Sequence, residues 1–259
     1  MEQRIEHQYE GEWHDGECHG QGVAVWTSKF APSDWVGRYE GEWKDGRMCG
    51  RGTKTWADGS VYQGMWSDNK MHGQGRHLWS NGNVYEGEWW DNKRDGQGQQ
   101  TWADGSKYDG NWRADKWHGF GEITNVYGNV YCGEIRDGVK HGSGHTTYVD
   151  GRMCRGEWWN GKRHGQCVYW YPNGAISEAE WRNGRRHGLW VTWYPNGAVS
   201  EATWDNGVLI SAPQYVRMED VKVLLTKKQF KEILSQVGNI YRSLSQRWYF
   251  QFVGVYPVK

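Results

Sequence analysis

The sequence predicts an all-β fold: an elongated, single-layer antiparallel sheet of stacked β-hairpins. Three observations predict it. A 23-residue pattern recurs along the chain, aromatic and charged residues alternate within it, and Asn-Gly or Asp-Gly pairs close most copies. Self-similarity at such a period indicates an array of one repeated structural unit. Alternation with period two places the aromatic side chains on one face of a strand.

Two neighbouring copies show the pattern. Tyr62 to Val84 reads YQGMWSDNKMHGQGRHLWSNGNV, and Tyr85 to Lys107 reads YEGEWWDNKRDGQGQQTWADGSK. Both have tyrosine first, tryptophan at positions 5 and 18, and glycine at positions 3, 12, 14 and 21. The units begin at Tyr9, Tyr39, Tyr62, Tyr85, Tyr108, Tyr131, Cys154, Ser177 and Ser200. The sequence therefore predicts a lead-in over residues 1–8 and an array over residues 9–210, with an insertion of seven residues before the second unit.

The shared pattern Y-x-G-x-W-x-x-G-x-x-H-G-x-G-x-x-x-[WY]-x-[DN]-G resembles the MORN repeat family. This resemblance implies stacked MORN β-hairpins. It also implies a non-enzymatic scaffold or adaptor of the cytoskeleton, cilia or membrane surface, in a family whose arrays often form homo-oligomers. Below, each residue of a unit has a position from 1 to 23, counted from the first residue of that unit.

Each unit is predicted to fold as two strands joined by a tight turn at position 8. Glycine, asparagine and aspartate tolerate a left-handed backbone, so we expect a positive φ angle at this position. The residues there are Gly16, Gly46, Asn69, Asn92, Asp115, Gly138, Gly161, Gly184 and Gly207. A second turn, at pairs such as Asp58-Gly59 and Asn81-Gly82, returns the chain to the next unit.

Stacked units would align their aromatic rings in two ladders. The residues at position 5 form the first ladder, and those at position 18 form the second. The glycines at positions 3, 12 and 14 are predicted to leave room for these rings. If the sheet leaves the aromatic side open as a groove, its rings could anchor a helix or an extended peptide. The predicted protein-binding residues are Trp43, Trp56, Trp66, Trp79, Trp89, Trp102 and Trp112.

The last units differ from the rest, and a distinct segment follows them. Apolar residues then occur on both faces, as in Val191 and Trp193, which predicts that this end of the sheet is covered on both sides. Residues 211–259 are predicted to form a short helical cap. A capping box begins at Thr226, and an apolar stripe at helical spacing runs from Phe230 to Trp248. A helix that binds a partner or a membrane surface is the alternative interpretation of this segment.

The charge distribution and the cysteine content restrict the expected partners and cellular location. Residues 211–259 contain eight Lys or Arg and three Asp or Glu, which gives a net charge of +5. Residues 1–210 contain 23 Lys or Arg and 28 Asp or Glu, which gives a net charge of −5. An acidic array is a poor platform for nucleic acid, so we expect no nucleic-acid partner. Five cysteines without a C-x-x-C pair, and no apolar leader, predict reduced thiols and a cytoplasmic protein, associated with the cytoskeleton or with membranes.

No motif predicts catalysis. Histidine recurs at position 11, as in His72 and His118, but adjacent units would each present one ligand rather than a converging set. We therefore expect no metal, no cofactor and no catalytic residues. The leading hypothesis is a scaffold that binds a protein segment along the aromatic groove. The alternatives are a phospholipid-binding or membrane-surface module and a structural subunit of a larger assembly.

Overall fold

The computed structural model describes residues 7–27 and 36–217, and these residues form 18 strands of one antiparallel sheet. The all-β prediction is thus confirmed for the described residues. The chain divides into two compact units, Met1–Tyr215 and Val216–Lys259. The array predicted to end at residue 210 continues as a strand through Arg217. The helix predicted within the cap lies outside the described residues.

The strands have the following bounds. They are β1 (His7–His14), β2 (Glu17–Trp26), β3 (Gly37–Lys44), β4 (Arg47–Trp56), β5 (Val61–Ser67), β6 (Lys70–Leu78), β7 (Val84–Trp90), β8 (Lys93–Thr101), β9 (Lys107–Arg113), β10 (Lys116–Thr124), β11 (Val130–Arg136), β12 (Val139–Thr147), β13 (Met153–Trp159), β14 (Lys162–Trp170), β15 (Ile176–Arg182), β16 (Arg185–Trp193), β17 (Ala198–Asp205) and β18 (Val208–Arg217). Strands β1 to β17 pair antiparallel in chain order.

The tight turn of each unit has a positive φ angle at position 8, as predicted, and also at position 7, which the sequence analysis did not identify. Two consecutive positive φ angles define the type I′ turn that matches the twist of a hairpin. The turn also joins neighbouring units. The backbone amide of Asn69 donates to the carbonyl of Met48 at 3.0 Å, and the amide of Met48 donates to Asn69 Oδ1 at 2.8 Å.

The glycine at position 12 serves a β-bulge, so its predicted role of leaving room for a ring is wrong. The register of β3 and β4 shifts between Gly41 and Glu42. Gly50, opposite this shift, has a φ angle of +54°, and a Cβ there would collide with the Glu42 carboxylate. Glu42 Oε1 accepts a hydrogen bond from the Arg51 amide at 2.8 Å. Glycine is thus required by the left-handed backbone and by the buttressing carboxylate.

The tyrosine at position 1 forms the centre of the core, where the predicted role of the glycines at positions 3 and 14 is confirmed. Tyr62 is fully buried, and a Cβ on Gly64 or Gly75 would overlap its ring or hydroxyl group. The Tyr62 hydroxyl donates to the carbonyl of Met65 at 3.0 Å. The glycines therefore form the slot in which the ring lies.

Each such tyrosine joins two units by edge-to-face contacts. The Tyr62 ring lies 5.0 Å from Trp66 in its own unit and 5.5 Å from Trp89 in the next unit, both at 87°. The same pair of contacts recurs at Tyr39 and Tyr85. The tryptophans therefore alternate with tyrosines rather than stacking directly. Each contact contributes about 0.5–1.5 kcal/mol beyond the burial of area.

The C-terminal units pack smaller side chains in the same place. Cys154 replaces the tyrosine, Cys167 replaces the glycine at position 14, and both are buried together with Ala179. On the other side of the sheet, Val191 and Val199 are also buried. Buried apolar side chains therefore occur on both faces here, as the sequence analysis expected.

We predict that Gly75→Ala destabilises the array by about 1–3 kcal/mol, because the added methyl group overpacks the site of the Tyr62 ring. Gly75 does not have a positive φ angle, so the effect would be steric. Urea unfolding followed by tryptophan fluorescence would measure it. The neighbouring exposed variant Gln74→Ala should change stability by less than about 0.5 kcal/mol. Equal unfolding midpoints for the two variants would contradict the claim that the Tyr62 ring needs the space beside Gly75.

Candidate functional site

The strand register places one set of unit positions on a single side of the sheet, which we call the aromatic face. In the second unit, Tyr39 lies opposite Lys54 and Trp43 lies opposite Met48. The aromatic face therefore carries positions 1, 3 and 5 of the first strand and positions 10, 14, 16 and 18 of the second. The intervening positions, including the glutamates at positions 2 and 4, lie on the opposite face.

Four of the predicted binding residues form the floor of the aromatic face. These floor residues are Trp43, Trp66, Trp89 and Trp112, and each is only 4–5% exposed. Each indole Nε1 donates to the carbonyl of a position-14 glycine in the preceding unit, as from Trp112 to Gly98 at 2.9 Å. The floor rings are thus held by packing and by hydrogen bonds, and they leave little surface for a ligand.

The other three predicted binding residues, Trp56, Trp79 and Trp102, are partly exposed at the end of the second strand, and we call them the rim. Side chains at position 16 lie between successive rim rings. His77 stacks at 5.0 Å from Trp56 and 4.2 Å from Trp79, at angles of 22° and 25°. The Lys54 ammonium lies 5.3 Å from the Trp56 ring. Trp56, His77 and Trp79 therefore form a continuous stack within the rim.

His77 is a buried titratable group on this face. It is 8% exposed, and neither ring nitrogen has a hydrogen-bond partner. Burial between the two indoles lowers the pKa of His77 to about 4, because the charged form would lose its hydration. Asp58 opposes this shift and Arg94 adds to it. His77 is therefore a neutral spacer at physiological pH.

Position 10 forms a partial cover over the floor, a role that the sequence analysis missed. Arg94 lies 4.2 Å from the centroid of Trp112, and Lys140 lies 4.7 Å from that of Trp158. The residues at this position are Cys18, Met48, Met71, Arg94, Trp117, Lys140, Arg163, Arg186 and Leu209. Apolar residues predominate up to Trp117, and the next three units have a basic residue. The only sequence signal was their constant place beside the recurring histidine of position 11.

Those position-11 histidines lie on the opposite face, against the turn of the next unit. His187 Nδ1 is 3.2 Å from Asp205, and His19 Nδ1 is 3.7 Å from Asp45. In residues 7–27 and 36–217, no group of three His, Cys, Asp or Glu side chains converges in a way that could hold a metal ion. The arrangement gives each histidine a local contact at the boundary between units.

Comparison with protein families identifies the repeat. The MORN repeat model matches eight segments that together cover more than half of the chain. The chain belongs to the MORN repeat family. The matched segments are residues 9–29, 39–61, 62–84, 85–107, 108–126, 131–151, 154–176 and 178–199. The ninth unit, predicted from Ser200, lies beyond them, although strands β17 and β18 continue the sheet there. No curated protein matches the chain.

Solved structures show only a distant similarity. The SAS-4 (dCPAP) TCP domain of Drosophila melanogaster, in complex with a proline rich motif of Ana2 (dSTIL), is 14% identical, with a TM-score of 0.40 over 60% of this chain and 85% of that one. The wild-type TCP10 domain of Danio rerio CPAP is also 14% identical, with a TM-score of 0.37 over 70% and 95%. TM-scores below 0.5 carry no functional argument. Among the described residues, no helix has the length and hydropathy needed to span a bilayer.

We predict that His77→Gln reduces the acid sensitivity of the fold. The pKa of His77 is about 4 when folded and about 6.5 when unfolded, so the unfolded chain takes up the proton first as the pH falls. The stability contributed by the neutral ring is present above pH ~6.5 and is lost as the pH drops towards 4. Between pH 7 and 4.5, this residue should cost roughly 2–3 kcal/mol of unfolding free energy.

Urea unfolding at the two pH values tests this prediction, with the exposed His14→Gln variant as the control. Wild type and His14→Gln should lose similar stability on acidification, and His77→Gln should lose less. The same loss in all three proteins would show that His77 is not the titrating group.

Proposed function

We propose that this chain is a non-enzymatic scaffold or adaptor that binds a protein segment, helical or extended, along its aromatic face. The observation that carries the proposal is the rim, in which Trp56, Trp79 and Trp102 are partly exposed on top of a fixed floor. Partly exposed indoles on a rigid support are typical of the residues that dominate protein interfaces. MORN arrays are suited to such scaffolding because they present a long repeated surface.

The rim and floor tryptophans have different roles in this proposal. The rim rings contact the partner directly. The floor rings keep the face in shape, since their Nε1 groups are already bonded to backbone carbonyls. A face that is ordered before binding loses little conformational entropy when the partner arrives. We place this role in the cytoplasm, at the cytoskeleton or at a membrane surface.

A library of random 16-residue peptides, displayed on phage and selected against the full-length chain, tests the proposal. Selected peptides should bind wild type and Trp90→Ser with similar affinity, because Trp90 is 64% exposed but lies on the opposite face. Binding to Trp79→Ser should weaken at least about tenfold, the loss typical of an interface anchor. Circular dichroism of each variant would establish that it is folded.

Two results would contradict the proposal. One is a selection that yields no peptide whose binding depends on Trp79 or Trp102. The other is an equal loss of affinity in Trp90→Ser, which would move the binding surface to the opposite face. The phospholipid alternative would be favoured if the selection yielded no peptide while the wild-type chain floated with phosphatidylserine vesicles and the Trp79→Ser variant did not.

A further inference from the structure

Three consecutive units carry a cation at position 10 of the aromatic face. Lys140, Arg163 and Arg186 form this cation row. The Lys140 ammonium lies 4.3 Å from the Tyr131 centroid, and Arg186 lies 4.7 Å from that of Trp204. Arg163 lies between them, 5.4 Å from Trp181. Ring contacts hold each cation in place, and an indole or phenol ring does not neutralise its charge.

No carboxylate of the described residues neutralises the row. Within the part of the chain that the structure describes, none of the three cations forms an ion pair. Arg94 provides a contrast. It occupies the same position three units before Arg163, and its Nε lies 2.9 Å from Asp115. Arg163 donates to the Tyr148 and Tyr169 hydroxyls, and its Nε is buried without a partner.

Three carboxylates of these units are engaged elsewhere. Glu134 accepts a hydrogen bond from the Ser143 amide at 3.1 Å, Asp150 pairs with Arg152 at 2.7 Å, and Asp205 contacts His187. Burial lowers the pKa of Lys140, and the charge of Arg163 lowers it further. Like charges that repel one another on one face, without a counter-ion from the described chain, fit an anionic ligand.

The spacing of the cations indicates which backbone conformation of a peptide ligand would match them. Strands in a sheet are about 4.7–4.9 Å apart, so position 10 recurs roughly every 9–10 Å. An extended chain in the polyproline II conformation advances about 3.1 Å per residue with three residues per turn, so every third residue returns to the same side at about this interval. In a β-strand, by contrast, residues three apart lie on opposite faces. An α-helix returns to the same side after seven residues, or about 10.5 Å, and would drift out of register along the row.

Charge and burial separate the candidate occupants. Residues 211–259 have a net charge of +5, so the chain's own C-terminal segment has the wrong sign for the row. A flat anionic membrane would have to reach cations that lie partly buried among rings, as Lys140 and Arg163 do. A single extended peptide can enter such a surface, with its carboxylates directed at the cations.

We propose that the cation row binds an extended acidic protein segment with Asp or Glu at every third residue. This inference rests on the proposed function, because it assigns a class of partner to the same face. Carboxylates at this interval would each meet one cation of the row, while the intervening residues contact the neighbouring rings.

The test uses two synthetic 12-residue peptides with the full-length chain. One has Asp at every third position among Ala and Pro, and the other has the same composition with its four Asp residues adjacent. Fluorescence anisotropy should show at least about fivefold tighter binding of the spaced peptide, because only its carboxylates match the row. The double variant Lys140→Gln, Arg186→Gln should weaken binding of the spaced peptide about tenfold, as expected for lost charge-assisted hydrogen bonds.

The matched control is Arg136→Gln, Arg182→Gln, which removes the same net charge from the opposite face at position 6. It should leave the preference for the spaced peptide intact. Arg163 is not substituted, because its bonds to two tyrosines also support the core. Thermal unfolding of both double variants would exclude a loss of fold.

The inference is overturned if the two peptides bind equally, if neither binds, or if both double variants lose affinity alike. Loss of phosphatidylserine vesicle binding in Lys140→Gln, Arg186→Gln, without peptide binding, would overturn it in favour of a lipid headgroup. A change in solution mass with that variant, again without peptide binding, would point instead to a second copy of the chain. The phage selection tests the proposed function separately. If it yields peptides whose binding depends on Trp79, the proposed function is supported even when the cation-row inference fails.

Discussion

The structure depends on the edge-to-face contact between the tyrosine of one unit and the tryptophan of the next. Tyr39, Tyr62 and Tyr85 each contact two tryptophans, one in their own unit and one in the following unit. A single hairpin is marginally stable in water, so these contacts between units convert a series of weak hairpins into one sheet. The paired glycines at positions 3 and 14 follow from this constraint, because the ring needs their empty Cβ space.

A single-layer sheet also explains where function can reside. The aromatic face has no second layer among the described strands, and within these strands its rings are covered by one another and by the side chains of positions 10 and 16. The floor tryptophans are thereby fixed, whereas the covering positions are free to vary in chemistry from Met48 to Arg186. The same architecture can therefore present an apolar surface at one end and a cationic surface at the other without altering the core.

The sequence predicted the fold and its turns because these depend on strictly periodic residues. The positive φ angle at Asn69 and its equivalents, and the slot formed by Gly64 and Gly75, follow from residue type and spacing. The burial of the floor tryptophans could not be predicted in this way. The alternation of residues shows on which face of the sheet a ring lies, but not how deeply it is buried. The bulge at Gly50 depends on a register shift that the pattern does not encode, and position 10 varies too much to be recognised as one site.

The central claim is that adjacent units are coupled by the tyrosine–tryptophan contact, and a double-mutant cycle tests it most directly. Tyr62→Leu and Trp89→Leu would be measured singly and together by urea unfolding, beside a control cycle of Tyr62 with Trp112, two units away. The contacting pair should show a coupling of about 0.5–1.5 kcal/mol, and the distant pair should be additive within about 0.5 kcal/mol. Additivity in the contacting pair, or equal coupling in both cycles, would contradict the claim.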